Sequence, residues 1–177
     1  MTHRDPPAHH PSHREHTAHA PRSIGCTVIT CSDTRTPETD FSGQLMQRLL
    51  KEHGHVVSAY HVVKDEPGQI RRVIEEAVQH DTVQAILING GTGISPRDST
   101  FEAVDGLLEK RLDGFGEIFR YLTYQDIGSP AIMSRATAGS FRGRMIISTP
   151  GSEGAVRLAM EKLILPELGH MVQQLTK

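Results

Sequence analysis

Ala85-Ile86-Leu87-Ile88-Asn89-Gly90-Gly91-Thr92-Gly93-Ile94-Ser95-Pro96-Arg97-Asp98-Ser99-Thr100 sets the architecture of the chain. Its apolar opening, bounded by turn residues, has the composition of a buried strand. Gly90, Gly91 and Gly93 then bend the chain and leave bare amides that an anion can approach closely. Ser99-Thr100-Phe101-Glu102 has capping-box spacing and predicts a helix over residues 100–111. Strand, glycine turn and helix N-terminus together form a phosphate cradle, because unpaired amides and the helix dipole favour negative charge. Arg97 adds a cationic fork and Asp98 a carboxylate. An acid beside a phosphate site makes chemical sense when a divalent cation bridges the two. A plain strand-to-helix connection would need the glycines but not the Arg97-Asp98 pair. Neither G-x-G-x-x-G nor G-x-x-x-x-G-K-[ST] is present here, so neither nucleotide fingerprint applies.

Upstream, strands and helices alternate. Ile24 to Thr30 is rich in β-branched residues and reads as a first strand. A polar loop through Ser32, Asp33, Arg35, Asp40 and Ser42 leads into a helix with Leu45, Met46, Leu49 and Leu50 on one face, ending at Gly54. These loop residues suit a small polar ligand, while Asp40 or Ser42 serves equally as an N-cap. A second strand spans His55 to Val63, and Pro67 opens a helix with Ile70, Val73, Ile74, Ala77 and Val78 inward. Such alternation predicts an α/β fold of three layers, α/β/α, with a mostly parallel central sheet. Ligands of such sheets gather beyond the carboxyl ends of the strands. Asp33, Asp65 and Asp98 each follow a strand, so the topology delivers all three to one edge. Asp65 taken alone also reads as a helix cap.

Downstream, Gly114 to Tyr124 reads as a helix, and its crowded Phe115, Phe119, Tyr121 and Tyr124 mark a local core or a subunit contact. Ala131 to Gly139 is a small-residue segment. Arg144 to Ser148 is a late strand, and Thr149-Pro150-Gly151-Ser152 turns into a helix from Glu153 to Leu163. Ser152 stands where an N-cap belongs, beside amides able to form a second anion pocket. Pro166 is expected to break the helix before a short one over Leu168–Leu175.

The 177 residues, 37% hydrophobic, suffice for one core, assigned to residues 23–177. Residues 1–22 hold His3, His9, His10, His13, His16 and His19 with four prolines, and are expected to be a disordered tail. A net charge of −2 gives no basic field for nucleic acid or membrane binding. No apolar run approaches the roughly 20 residues of a membrane span, and the first residues lack a secretory h-region. Cys26 and Cys31 fall on opposite faces of one strand and cannot pair. A reducing, cytoplasmic setting is the expectation.

Several motifs in one order resemble the MoaB/MogA family of molybdenum cofactor biosynthesis proteins. They are Ser32-Asp33-Thr34-Arg35 with Asp40-Phe41-Ser42-Gly43, and Gly90 through Thr100. Phe119 to Tyr124 with Ile127-Gly128-Ser129, and Met133-Ser134-Arg135-Ala136 with Ala138-Gly139, follow. Pro150-Gly151-Ser152 and Leu163 to His170 complete the set. The resemblance covers residues 24–172. It implies a molybdopterin-binding-domain fold and Mg²⁺-dependent transfer of the adenylyl group of ATP to molybdopterin, releasing pyrophosphate. It implies Asp65 and Asp98 as the essential, metal-holding acids. Gly90, Gly91, Thr92, Gly93, Arg97, Ser32, Asp33, Ser42 and Ser152 become the substrate and phosphate contacts. It further implies a homotrimer or hexamer, a downstream molybdenum-insertion protein as partner, and, as the alternative, a non-catalytic molybdopterin-binding member. Where many members carry a proline and a basic residue after Pro150-Gly151-Ser152, this chain has Glu153-Gly154, which weakens an anion site there.

Overall fold

A computed structural model describes residues 20–177, and the predicted tail falls outside the described residues except for Ala20, Pro21 and Arg22. The alternating pattern produces strand β1 (Gly25–Cys31), helix α1 (Phe41–Glu52), β2 (Val56–Val63), α2 (Pro67–Ala77) and β3 (Ala85–Asn89). These continue into α3 (Thr100–Asp105), β4 (Lys110–Arg111), α4 (Asp113–Ile127), a 3₁₀ turn (Ser129–Met133), β5 (Thr137–Phe141) and β6 (Arg144–Thr149). The chain ends in α5 (Glu153–Ala159), a π-helical segment (Met160–Ile164) and α6 (Leu165–Leu175). One six-stranded sheet has the order β2-β1-β3-β6-β5-β4. Its first four strands are parallel, β5 runs antiparallel to β6, and β4 antiparallel to β5.

Period-two alternation divides the sheet's side chains between two cores. Cys26, Val28, Leu87 and Ile147 face α1, α4, α5 and α6, packed with Leu45, Met46, Phe119, Val156 and Leu168. Ile29, Cys31, Ile86, Ile88 and Ile146 face α2 and α3, packed with Ile70, Ile74 and Val104. Full burial of each such aliphatic side chain contributes about 1.5–3 kcal/mol. Cys26 and Cys31 lie in opposite cores as free thiols, and burial pushes each up to about 12.

Two local expectations are corrected. The helix after the glycine turn stops at Asp105 rather than continuing to residue 111. Leu107 and Leu108 turn back onto the α2-side core, and Lys110 and Arg111 pair with Ser140 and Gly139. That pairing draws the end of the small-residue segment, from Thr137, into strand β5: a Cβ at Gly139 would lie 2.1 Å from the Lys110 carbonyl oxygen. Pro166 does not break the last helix. The preceding turn widens to π geometry, the Leu165 amide donating to the Met160 carbonyl, and the proline sits in the first turn of α6. A wider turn accommodates a ring that brings no N–H. Finally, the aromatic cluster divides. Phe115 and Phe119 stack in the core, whereas Tyr121 and Tyr124 are exposed.

Candidate functional site

The chain leaves β1 for β2 on one side and returns to β3 on the other, so the strand order reverses between β1 and β3. A crevice opens outside the carboxyl ends of strands at such a point. The loops after β1, β2, β3 and β6 meet here. Gly90 and Gly91 take φ of 104° and 54°, and a Cβ at Gly90 would lie 2.1 Å from the Cys31 carbonyl oxygen. Only glycine fits that approach. The Gly90 amide donates to Thr149 O at 3.1 Å, tying the turn to the end of β6.

Asp65 closes the turn from the β2 side. Its carboxylate is buried, and Oδ1 accepts from the Ser99 amide (3.0 Å), Ser99 Oγ (2.8 Å) and Thr100 Oγ1 (3.1 Å). The capping box expected at Ser99–Glu102 therefore does not form. Ser99 makes no side-chain cap bond to its own helix, and Glu102 is drawn to Arg135. A carboxylate from a loop 34 residues upstream caps α3 instead. Asp65 Oδ2 accepts none of these bonds and lies over Gly91, where a Cβ would come within 1.8 Å of it. Asp98 stands at the other end of the turn. Its Oδ2 accepts from the Ser95 amide at 3.0 Å and faces Gly93.

Other residues expected to bind substrate form a connected rim. Arg97 Nε and Nη2 both donate to Asp33 Oδ2, at 3.0 and 2.7 Å, and Asp33 Oδ1 accepts from the Asp65 amide at 3.3 Å. The Arg97 hydrogen bond holds the Asp33 carboxyl below the usual carboxylate range and raises the guanidinium in turn. The pair is exposed, hence weak and open to exchange for a ligand. Ser32 Oγ accepts from the Thr34 and Arg35 amides. Asp40 is the N-cap of α1, accepting from the Gly43 amide at 3.0 Å and from the Tyr60 hydroxyl at 2.5 Å. Ser42 and Arg35 donate to the Gly151 carbonyl at 2.8 and 3.0 Å, so both brace the turn after β6. Ser152 caps α5, and Glu153 beside it pairs with Arg157.

The turn's carbonyls and amides face different surroundings. Among the described residues, the amides of Gly91, Thr92, Gly93 and Ile94 donate to no protein acceptor. The Thr92 carbonyl accepts from Arg135 Nε at 2.7 Å, and the Gly93 carbonyl from Arg135 Nη2. Arg135 also pairs with Glu102 and lies 4.6 Å over the Phe101 ring. Sequence reasoning gave Arg135 no role, although it stands inside one of the motifs.

Free amides and two carboxylates around one short turn can hold a polyanion together with a hard cation. The donor set fits Mg²⁺: each carboxylate has one oxygen outside the hydrogen bonds above, and both are oxygen ligands. The described residues offer no cage of three or more His, Cys, Asp or Glu.

The fold is that of a molybdopterin-binding domain. The family model described as probable molybdopterin binding domain matches residues 27–170. The chain belongs to the MoaB/MogA molybdopterin-binding family. It is 54% identical over 165 residues to Molybdenum cofactor biosynthesis protein B of Bacillus subtilis (strain 168), covering 93% of this chain and 97% of that one. A crystal structure of a Molybdenum cofactor biosynthesis protein B superposes with a TM-score of 0.86 at 52% identity, covering 89% of this chain and 98% of that chain. The tungsten cofactor synthesizing protein MoaB from Pyrococcus furiosus gives a TM-score of 0.80 at 33% identity, covering 89% and 100%.

Proposed function

We propose that this protein acts in molybdenum cofactor biosynthesis by adenylylating molybdopterin. The terminal phosphate of molybdopterin attacks the α-phosphorus of ATP, the α–β phosphoanhydride bond breaks, and pyrophosphate leaves. A phosphate monoester is already an ionised nucleophile near neutral pH, so no general base is needed. What the reaction demands is in-line placement and charge neutralisation. Two unit charges 4 Å apart repel by about 4 kcal/mol at an effective dielectric near 20. Mg²⁺, when bound, supplies much of that neutralisation. Asp65 and Asp98 hold it, the Gly91–Ile94 amides receive phosphate oxygens, and Arg97 exchanges Asp33 for substrate. Ser32, Ser42 and Ser152 shape the loops around the substrate. The observation that carries this reading is the pair of carboxylates at the two ends of the Gly91–Gly93 turn, whose amides have no protein acceptor among the described residues.

The test is pyrophosphate release from ATP with molybdopterin and Mg²⁺, in wild type and in Asp98→Asn. Release that depends on all three and falls by orders of magnitude in the folded variant is expected. Equal rates in the two proteins refute the assignment, and binding of molybdopterin without release leaves a non-catalytic member of the pathway.

The protein also self-associates in this reading. Ile118, Tyr121, Tyr124, Ile127, Ile132 and Met133 expose large apolar side chains on α4 and the 3₁₀ turn after it. Such a patch fits a subunit contact of a homotrimer. Light scattering at micromolar concentration is expected to give a trimer or a multiple of it, and a monomer would remove this part of the proposal.

A further inference from the structure

We infer that Arg135 is the positioning residue of the anion-binding turn, setting the direction in which its amides point. This rests on the reading of Gly91–Ile94 as a phosphate site, and it concerns a residue to which neither the motifs nor the comparisons assign a role.

Arg135 donates to two successive carbonyls, Thr92 O through Nε and Gly93 O through Nη2. Each peptide unit is planar and trans, so an amide N–H points opposite to the carbonyl bonded to it. The Thr92 carbonyl belongs to the peptide whose N–H is Gly93, and the Gly93 carbonyl to the peptide whose N–H is Ile94. With both carbonyls drawn to one guanidinium, the Gly93 and Ile94 amides are both turned away from it, side by side. Neither has a protein acceptor among the described residues. Two adjacent N–H groups facing one way make an anion-binding concavity. The cation behind the carbonyls also polarises the two peptide groups, which strengthens their N–H donors.

Glycine at position 93 makes such a turn easy to rearrange, because rotation of one peptide meets no side-chain barrier. Something has to hold the orientation, and Arg135 is itself held on two further sides. Nη1 donates to Glu102 Oε1 at 2.5 Å, and the guanidinium lies 4.6 Å above the Phe101 ring. Both supports come from α3, which Asp65 caps. A lysine keeps the charge but lacks the planar fork that spans two carbonyls and a carboxylate together.

The experiment is a titration with inorganic pyrophosphate and Mg²⁺, read by ¹H–¹⁵N spectra on wild type, Arg135→Lys and Glu102→Gln. In wild type the Gly93 and Ile94 amides are expected to shift with saturating pyrophosphate. In Arg135→Lys these two resonances should already differ without ligand, and pyrophosphate should bind roughly tenfold more weakly or worse, while amides of β1 and β3 keep their positions. Glu102→Gln, which leaves both carbonyl bonds available, should bind within twofold of wild type. A lysine variant with native spectrum and wild-type affinity overturns the inference. So does a wild type whose Gly93 and Ile94 amides ignore pyrophosphate. Equal loss in Glu102→Gln and Arg135→Lys, accompanied by shifts throughout β1 and β3, would show a merely structural part and overturn it too. Wild-type binding at these amides without pyrophosphate release from ATP and molybdopterin would refute the adenylylation reading and leave the role of Arg135 standing.

Discussion

Removing the Asp65 carboxylate separates its two duties. In Asp65→Ala, three donors converging on Oδ1 lose their acceptor: the Ser99 amide, the Ser99 hydroxyl and the Thr100 hydroxyl, the last of them fully buried. The two hydroxyls can rotate toward other acceptors, but the amide cannot. One orphaned donor costs about 1–3 kcal/mol, and adding part of a charge-assisted bond at each hydroxyl brings the total to about 2–4 kcal/mol. At about 2–4 °C per kcal/mol for a chain of this size, the thermal midpoint should fall by roughly 5–15 °C. Asp65→Asn keeps an oxygen at the Oδ1 position, so at least half of that loss should be recovered. It should nonetheless abolish Mg²⁺-dependent pyrophosphate release, because the anionic oxygen over Gly91 is gone. Calorimetry on the two variants measures the first effect and pyrophosphate release the second. A midpoint for Asp65→Ala within 2 °C of wild type would refute the capping argument, and full turnover by Asp65→Asn would refute the cation argument.

Gly91→Ala places a Cβ 1.8 Å from Asp65 Oδ2 at a φ of 54°, so it should destabilise by about 2 kcal/mol or more and displace the carboxylate; an unchanged urea midpoint contradicts this. Arg97→Ala removes an exposed pair and should leave the urea midpoint unchanged, while weakening pyrophosphate binding several-fold; wild-type affinity by calorimetric titration would exclude Arg97 from the anion site. His55 is buried, and its Nδ1 accepts from the Ile24 amide at 3.2 Å; burial first, then the neighbouring His53, holds its pKa below the usual value. An unfolded histidine titrates near pH 6.5, so its stabilising contribution is complete above about that pH and is lost as pH falls through the lower folded value. His55→Asn, which keeps an acceptor at that position, should therefore show a shallower loss of urea resistance between pH 7 and 5 than wild type, and an identical slope would refute it. Cys26 and Cys31, with thiols pushed up to about 12 by burial, should resist a disulfide reagent at pH 8 in the native protein and both react in guanidinium; rapid native reaction of either would contradict their burial.

The parallel half of the sheet was legible because its signals are local. Each of β1, β2 and β3 carries its own apolar pattern and its own turn residues, and counting strands is enough to bring Asp33, Asp65 and Asp98 to one edge. What escaped depends on partners distant in sequence. Ser99 to Glu102 has the spacing of a self-capped helix, and nothing nearby in the sequence reveals that Asp65 will reach the Ser99 amide first. Arg135 meets the glycine turn across 42 and 43 residues, with no periodic pattern to signal it. Strand β4 has two residues, too few for any alternation. Pro166 carried a strong local signal that the wider turn before it overrode, at the level of backbone hydrogen bonding rather than composition. Where Arg97 is concerned, the residue type was informative, but its pairing with Asp33 depended on two loops meeting.

The close approach of the loops after β3 and β6 has a mechanical consequence. A Cβ at Gly151 would lie 2.9 Å from the Gly90 Cα, and the Gly90 amide is bonded to Thr149. Backbone rests on backbone there, with no flexible side chain between to absorb a displacement. The two loops are thus geared to one another, so that a displacement of the first is transmitted to the second within the same contact.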